Sequence, residues 1–163
     1  GLSPRSVPGF GQGFVKVDSD EHDEEGLITE SFDMRVQMHE KRLNKAKLME
    51  EDIVQPYVVG NKDEKNVIIA WGSTYGVLNE LIADKPEWTL MHFEQVYPLP
   101  LGLEERLSKA EKIVVIENNA TGQFANLLQM TYGIKLPKRI LKYNGEPFFI
   151  DELEVKFSEV SHG

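Results

Sequence analysis

Four short runs decide the fold: Val67–Trp71 (VIIAW), Trp88–Phe93 (WTLMHF), Ile113–Glu117 (IVVIE) and Arg139–Tyr143 (RILKY). Each is apolar or β-branched over five or six residues, the length and composition of a buried strand. Apolar residues at helical spacing separate them: Leu78, Leu81 and Ile82, then Leu103, Leu107 and Ala110, then Phe124, Leu127 and Leu128. Strands that are apolar along their whole length, alternating with one-faced helices, predict a parallel sheet covered on both sides. After the last run, Asn144-Gly145 is a turn, and Asp151 is placed to cap a closing helix. Leu153, Phe157 and Val160 would pack that helix back on the sheet.

Upstream of residue 65 the composition changes. Residues 1–65 hold 9 basic and 14 acidic side chains and one short apolar run, so the chain divides into an N-terminal segment, 1–65, and an α/β domain, 66–163, which the length predicts to form one compact unit overall. Gly1–Gly13 carries four glycines and two prolines and reads as an extended loop. Phe14–Asp18 (FVKVD) has the pattern of one short strand. Asp18–Asp33 has eight acids and no base, a solvated or partner-facing stretch. Ser31 then suits a helix N-cap, with Asp33 favourable at the positive end of the dipole. Phe32, Val36, His39, Leu43 and Ala46 fall on one side of a helix running to about Asp52.

The 163 residues carry 18 basic and 27 acidic side chains, a net charge of −9. That balance argues against a general binder of nucleic acid or anionic membrane. No apolar run approaches the roughly 20 residues that span a bilayer, so a soluble, cytoplasmic protein is expected. With no cysteine, the chain by itself cannot supply a disulfide, a thiolate zinc site, a cysteine nucleophile or a cysteine-held iron–sulfur cluster.

In an open parallel sheet, ligands gather beyond the carboxyl ends of the strands, where the winding reverses. Two polar loops leave strands here: Gly72-Ser73-Thr74-Tyr75-Gly76 after VIIAW, and Glu117-Asn118-Asn119-Ala120-Thr121-Gly122-Gln123 after IVVI. Each opens a helix, whose free N–H groups suit an anion. Equally, Ser73, Thr74, Asn119 and Thr121 are ordinary capping residues, and the loops match neither G-x-G-x-x-G nor the Walker A motif. The run Asp20–Glu25 has cation-binding donors without the spacing of a calcium loop. His39 is expected as a satisfied, buried imidazole on its helix face, and His92 stands in a strand with no second histidine nearby. No G-x-S-x-G elbow occurs. No metal site and no catalytic residue is assigned.

The ordered segments GLSPRSVPG, VKVDSDEHDEEGLITE, IIAWGSTYG, MHFEQVYPLP, IVVIENNATGQFANLL and RILKYNGEPF resemble the C-terminal part of the α subunit of 2-oxoacid:ferredoxin oxidoreductases, particularly the 2-oxoglutarate type. The strand–GS–helix, PLP and VVxE–helix pattern is similar to the C-terminal domain of transketolases. The resemblance implies a three-layer α/β/α domain with a mixed five-stranded sheet in order 1-3-2-4-5. One strand is antiparallel, and Phe14–Asp18 is its candidate.

For the assembled enzyme the resemblance implies oxidative decarboxylation of a 2-oxoacid to an acyl-CoA with reduction of ferredoxin. Thiamine diphosphate, Mg2+, iron–sulfur clusters and coenzyme A are its cofactors, and a β subunit, with γ or δ subunits in some members, its partners. The thiamine-related segments of the family's α subunit, YPITPS-like and RGGPSTG-like, do not occur here. This chain therefore reads as an oligomer-forming module that shapes the active site, inactive alone and binding no cofactor alone. Its N-terminal loop and acidic segment are expected to pack on further domains. The competing reading is a stand-alone protein binding a phosphate or nucleotide in a crevice between Gly72–Gly76 and Glu117–Gln123. A third is a pure interaction module whose contact surface is the acid run.

Overall fold

The computed structural model describes residues 1–4, 6–13, 16 and 20–162. The chain forms two compact units, residues 1–52 and 53–163.

The first unit is built around helix α1, Phe32–Met49. The Ser31 side chain caps it, accepting from the Met34 amide at 3.3 Å, and Asp33 occupies the first turn. Glu21 accepts a two-pronged ion pair from Arg42 at 2.8 and 3.1 Å. No residue of α1 is buried: Phe32 is 85% exposed, and Val36 and Leu43 are more than half exposed. The apolar stripe is present but uncovered. His39 is accordingly exposed, not the buried imidazole its position on that stripe suggested. The expected strand at Phe14–Asp18 falls outside the described residues, Lys16 excepted.

The second unit carries the sheet. Its strands are β1 (Tyr57–Gly60), β2 (Asn66–Trp71), β3 (Trp88–Phe93), β4 (Lys112–Glu117) and β5 (Arg139–Leu141). Helices α2 (Tyr75–Ala83), α3 (Leu103–Ser108) and α4 (Gln123–Tyr132) connect them, and α5 (Ile150–His162) closes the chain. The spatial order is β1-β3-β2-β4-β5. All neighbours are parallel except β1, which runs antiparallel to β3 with Tyr57 opposite His92. The antiparallel strand is therefore Tyr57–Gly60, not Phe14–Asp18. The sheet thus takes in residues that the composition change near 65 leaves in the N-terminal segment. Tyr57, Val58 and Val59 are good strand formers, but three such residues between Pro56 and the turn at Gly60 are too short a run to separate from a loop.

The pleat sends alternate residues to opposite faces. Ile68, Ala70, Leu90, Val114 and Ile116 face α2 and α5, meeting Leu78, Leu81, Leu153 and Phe157. Val67, Ile69, Met91, Phe93 and Val115 face α3 and α4, meeting Leu103, Leu107, Phe124 and Leu128. This is a three-layer α/β/α arrangement, and both faces being covered explains why β2, β3 and β4 are apolar on consecutive residues. Helix α5 begins at Ile150, so Asp151 lies inside its first turn and not at its cap.

The connection after β2 leaves through α2 on one face, and the chain then crosses β2 to enter β4. The winding reverses between β2 and β4.

Candidate functional site

Strands β2 and β4 are parallel and in register, Ala70 opposite Ile116, so both polar exits open at the same edge of the sheet. Between them stands Glu117, 1% exposed. Its carboxylate accepts from the indole N–H of Trp71 at 3.3 Å and from the Asn119 amide nitrogen at 2.8 Å. The backbone amides of Phe124 and Ala125 donate to it at 2.8 and 2.9 Å. Four donors surround one acidic group, two of them the orphan amides of a helix N-terminus. Asn119 completes the loop, its side-chain oxygen accepting from the amides of Thr121 and Gln123 at 3.2 and 3.1 Å. Gly122 sits at φ +63°, the left-handed conformation that lets the chain double back onto Glu117.

The anion position that the sequence places at the start of α4 is thus filled from within the chain. The amides of Thr121, Gln123, Phe124 and Ala125 are all committed, and an entering phosphate would have to displace a buried carboxylate. What closes the α4 end of the switch point is a lock, with the Trp71 ring packed beside Phe124 at 6.2 Å between centroids.

The first exit behaves differently. Gly72–Thr74 form a single 3₁₀ turn with Gly72 at φ +67°, and the Thr74 hydroxyl donates to the Trp71 carbonyl at 2.9 Å instead of capping α2. Beside this turn, toward β3 and β1, lies a cavity of about 470 Å³ lined by Tyr57, Gly72, Tyr75, His92 and Glu94. Tyr75 meets Tyr57 edge-on at 5.6 Å and His92 edge-on at 5.3 Å. His92 is buried, and its Nε2 lies 3.0 Å from the Gly72 carbonyl. A carbonyl only accepts, so Nε2 carries the proton. Burial holds the His92 pKa below its ordinary 6.5, against the weaker opposing pull of that hydrogen bond and of Glu94. Burial, then a hydrogen bond with Tyr57, pushes the Tyr75 phenol upward.

Of the ten loop residues singled out from sequence, the cavity takes Gly72 and Tyr75. Ser73 and Thr74 stay in the 3₁₀ turn, and Glu117, Asn118, Asn119, Thr121, Gly122 and Gln123 belong to the lock or its rim. The two exits open at one edge, but the Trp71 ring, bonded to Glu117 and packed beside Phe124, stands between them, and the cavity lies on the other side of Gly72, toward β3 and β1. Sequence reasoning missed Tyr57 and Glu94 and set His92 aside. Tyr57 reaches His92 only through the antiparallel register of β1 with β3, for which no local signal exists. Asp20–Glu25 forms a turn in which the Asp23 carboxylate accepts from the amides of Glu25 and Leu27. Among the described residues no three His, Asp or Glu side chains converge as a cation site. No helix among them is long and apolar enough to cross a membrane.

Comparison with known proteins bears on what this framework is for. Over 159 residues, 94% of the chain, it is 35% identical to subunit alpha of 2-oxoacid:ferredoxin oxidoreductase 1 from Sulfurisphaera tokodaii. The chain is a homologue of the α subunits of 2-oxoacid:ferredoxin oxidoreductases. The corresponding α subunit of Saccharolobus solfataricus is 33% identical over 162 residues. In both cases the chain spans a quarter of the relative's length. Among solved structures, a 2-oxoglutarate:ferredoxin oxidoreductase from Magnetococcus marinus, with 2-oxoglutarate, coenzyme A and succinyl-CoA bound, superposes with a TM-score of 0.67 at 28% identity. That match takes in 96% of this chain and 28% of the other. No protein-family model matches the chain. The α-subunit homologue thus shares sequence and fold with one part of a larger oxidoreductase subunit.

Proposed function

We propose that this chain is the non-catalytic α/β module of a thiamine-diphosphate-dependent 2-oxoacid:ferredoxin oxidoreductase, an enzyme that oxidatively decarboxylates 2-oxoglutarate to its acyl-CoA. Its part is to bind the remaining α and β portions and to shape the active-site surroundings; ferredoxin is the electron acceptor of the whole complex. One observation carries the reading: similarity runs over 94% of this chain but only 25% of its relatives, so most of their length lies elsewhere.

Within the α/β unit the residues present do not fit the cofactors of that reaction. The built anion cradle, at the start of α4, is filled by Glu117. No side-chain cluster among the described residues would hold Mg2+, and no cysteine is available for an iron–sulfur cluster. The cavity beside Gly72 has no Lys or Arg in its lining to meet a diphosphate or the phosphates of coenzyme A. The contribution of the α/β unit is therefore surface and rigidity, with the Glu117 lock fixing how the two exits are held.

The test is reconstitution. The chain alone, supplied with 2-oxoglutarate, coenzyme A, thiamine diphosphate and Mg2+, is expected to reduce no methyl viologen. Co-expressed with the remaining α segment and a cysteine-bearing β subunit, it is expected to co-purify and support reduction, with 2-oxoglutarate preferred over pyruvate. Turnover by the chain alone, or failure to co-purify, would overturn the proposal.

A further inference from the structure

The cavity beside Gly72 has a definite chemical bias. Its polar content is one carboxylate, two phenols and an imidazole. Glu94 is exposed at its rim and has no ion-pair partner among the described residues. Tyr57, 56% exposed, and the half-buried Tyr75 present aromatic surface. His92, held neutral at neutral pH by burial and tied through Nε2 to the Gly72 carbonyl, adds no positive charge. Aromatic side chains beside a carboxylate, with no cation in the lining, make a site that attracts positive charge and repels anions.

From this we infer that the cavity framed by Tyr57, Tyr75, His92 and Glu94 receives the guanidinium of an arginine side chain presented by a partner polypeptide. A hard metal ion is a poor fit, since Glu94 is the single carboxylate and one nitrogen of His92 is already engaged. Free arginine as an amino acid would bring its own carboxylate, for which the lining holds no basic partner. Guanidinium fits better than ammonium, because it stacks on aromatic rings and bridges a carboxylate with two N–H groups. The source is a partner because the site opens at β1, the edge strand of the sheet, on a chain that matches only a quarter of its relatives. The inference rests on the assembly role proposed above and names one of its contacts.

The experiment uses the full chain alone, with labelled tyrosine rings and histidine imidazoles followed by NMR. The probe is Nα-acetyl-arginine methylamide, compared with the neutral citrulline analogue, with free L-arginine, and with the Glu94→Gln variant. Saturable shifts of Tyr57, Tyr75 and His92 are expected with the capped arginine. Citrulline and Glu94→Gln are each expected to weaken binding about tenfold, the scale of one charge-assisted contact. Free arginine is expected to bind more weakly than the capped form. Absence of saturable shifts, equal binding of citrulline, or an unchanged affinity in Glu94→Gln would overturn the site. Free arginine binding as well as the capped form would overturn the polypeptide source. Because no other subunit is present, failure here is distinct from failure to co-purify, which bears on the assembly role alone.

Discussion

Replacing Glu117 by Gln changes one atom and should destabilise the α/β unit by roughly 2–4 kcal/mol. The estimate follows from which oxygen each donor uses. Trp71, Asn119 and the Phe124 amide all donate to Oε2, while the Ala125 amide donates to Oε1. Glutamine can place its carbonyl oxygen at the Oε2 position and keep three bonds. Its NH2 then faces the Ala125 N–H, donor against donor, at a residue with no exposure. A buried amide left unsatisfied costs about 1–3 kcal/mol, and the remaining three bonds lose their charge assistance. Glu117→Ala should lose more, roughly 3–6 kcal/mol, since two buried amides become orphans and a void opens. Trp71 and Asn119 are half exposed and can turn to water, which keeps that figure from rising further. Urea denaturation of both variants measures this, read as a fall in midpoint at constant slope. A loss below about 1 kcal/mol for Glu117→Gln would mean that the carboxylate is not the lock's anchor.

Gly72→Ala places a Cβ in open space at φ +67°, so its cost is conformational alone, about 1 kcal/mol, and an unchanged melting temperature would remove the argument. Since the folded state holds the His92 pKa below 6.5, the unfolded chain takes up the extra proton first as pH falls. Stability is therefore full above about 6.5 and declines below it until the folded value is reached. His92→Gln should flatten that stretch of a stability–pH curve, and an identical slope in the variant would refute it. Thiamine diphosphate with Mg2+ should produce no thermal shift in the isolated chain, because the α4 amides are already satisfied; a large, saturable shift would contradict the lock.

The four apolar strands and the alternating helices were legible because each signal is local: a residue buried on both faces of a sheet must be apolar wherever it falls in the run. The helix at Phe32–Met49 was legible for the same reason, through Ser31 and a periodic stripe. The fate of that stripe was not. Periodicity shows that Phe32, Val36 and Leu43 share a side, but not that a partner lies there, and they stand exposed. Tyr57–Gly60 escaped because a short edge strand is defined by its pairing with β3 and not by its own residues.

The candidate site divides along the same line. From sequence alone, Glu117–Gln123 is a polar loop opening a helix, and an acid at its head is as consistent with a rim residue as with a buried one. Only folding brings Trp71, 46 positions earlier, against that carboxylate and turns the α4 amides inward onto it. Likewise Tyr57, Tyr75, His92 and Glu94 are unremarkable apart. The sequence determined the layers, the Ser31 cap and the turns, which depend on residues a few positions from one another. The tertiary structure decided which helix end is closed from within and which strand exit is left open, because both depend on pairing and packing between distant segments, energies that no local pattern encodes.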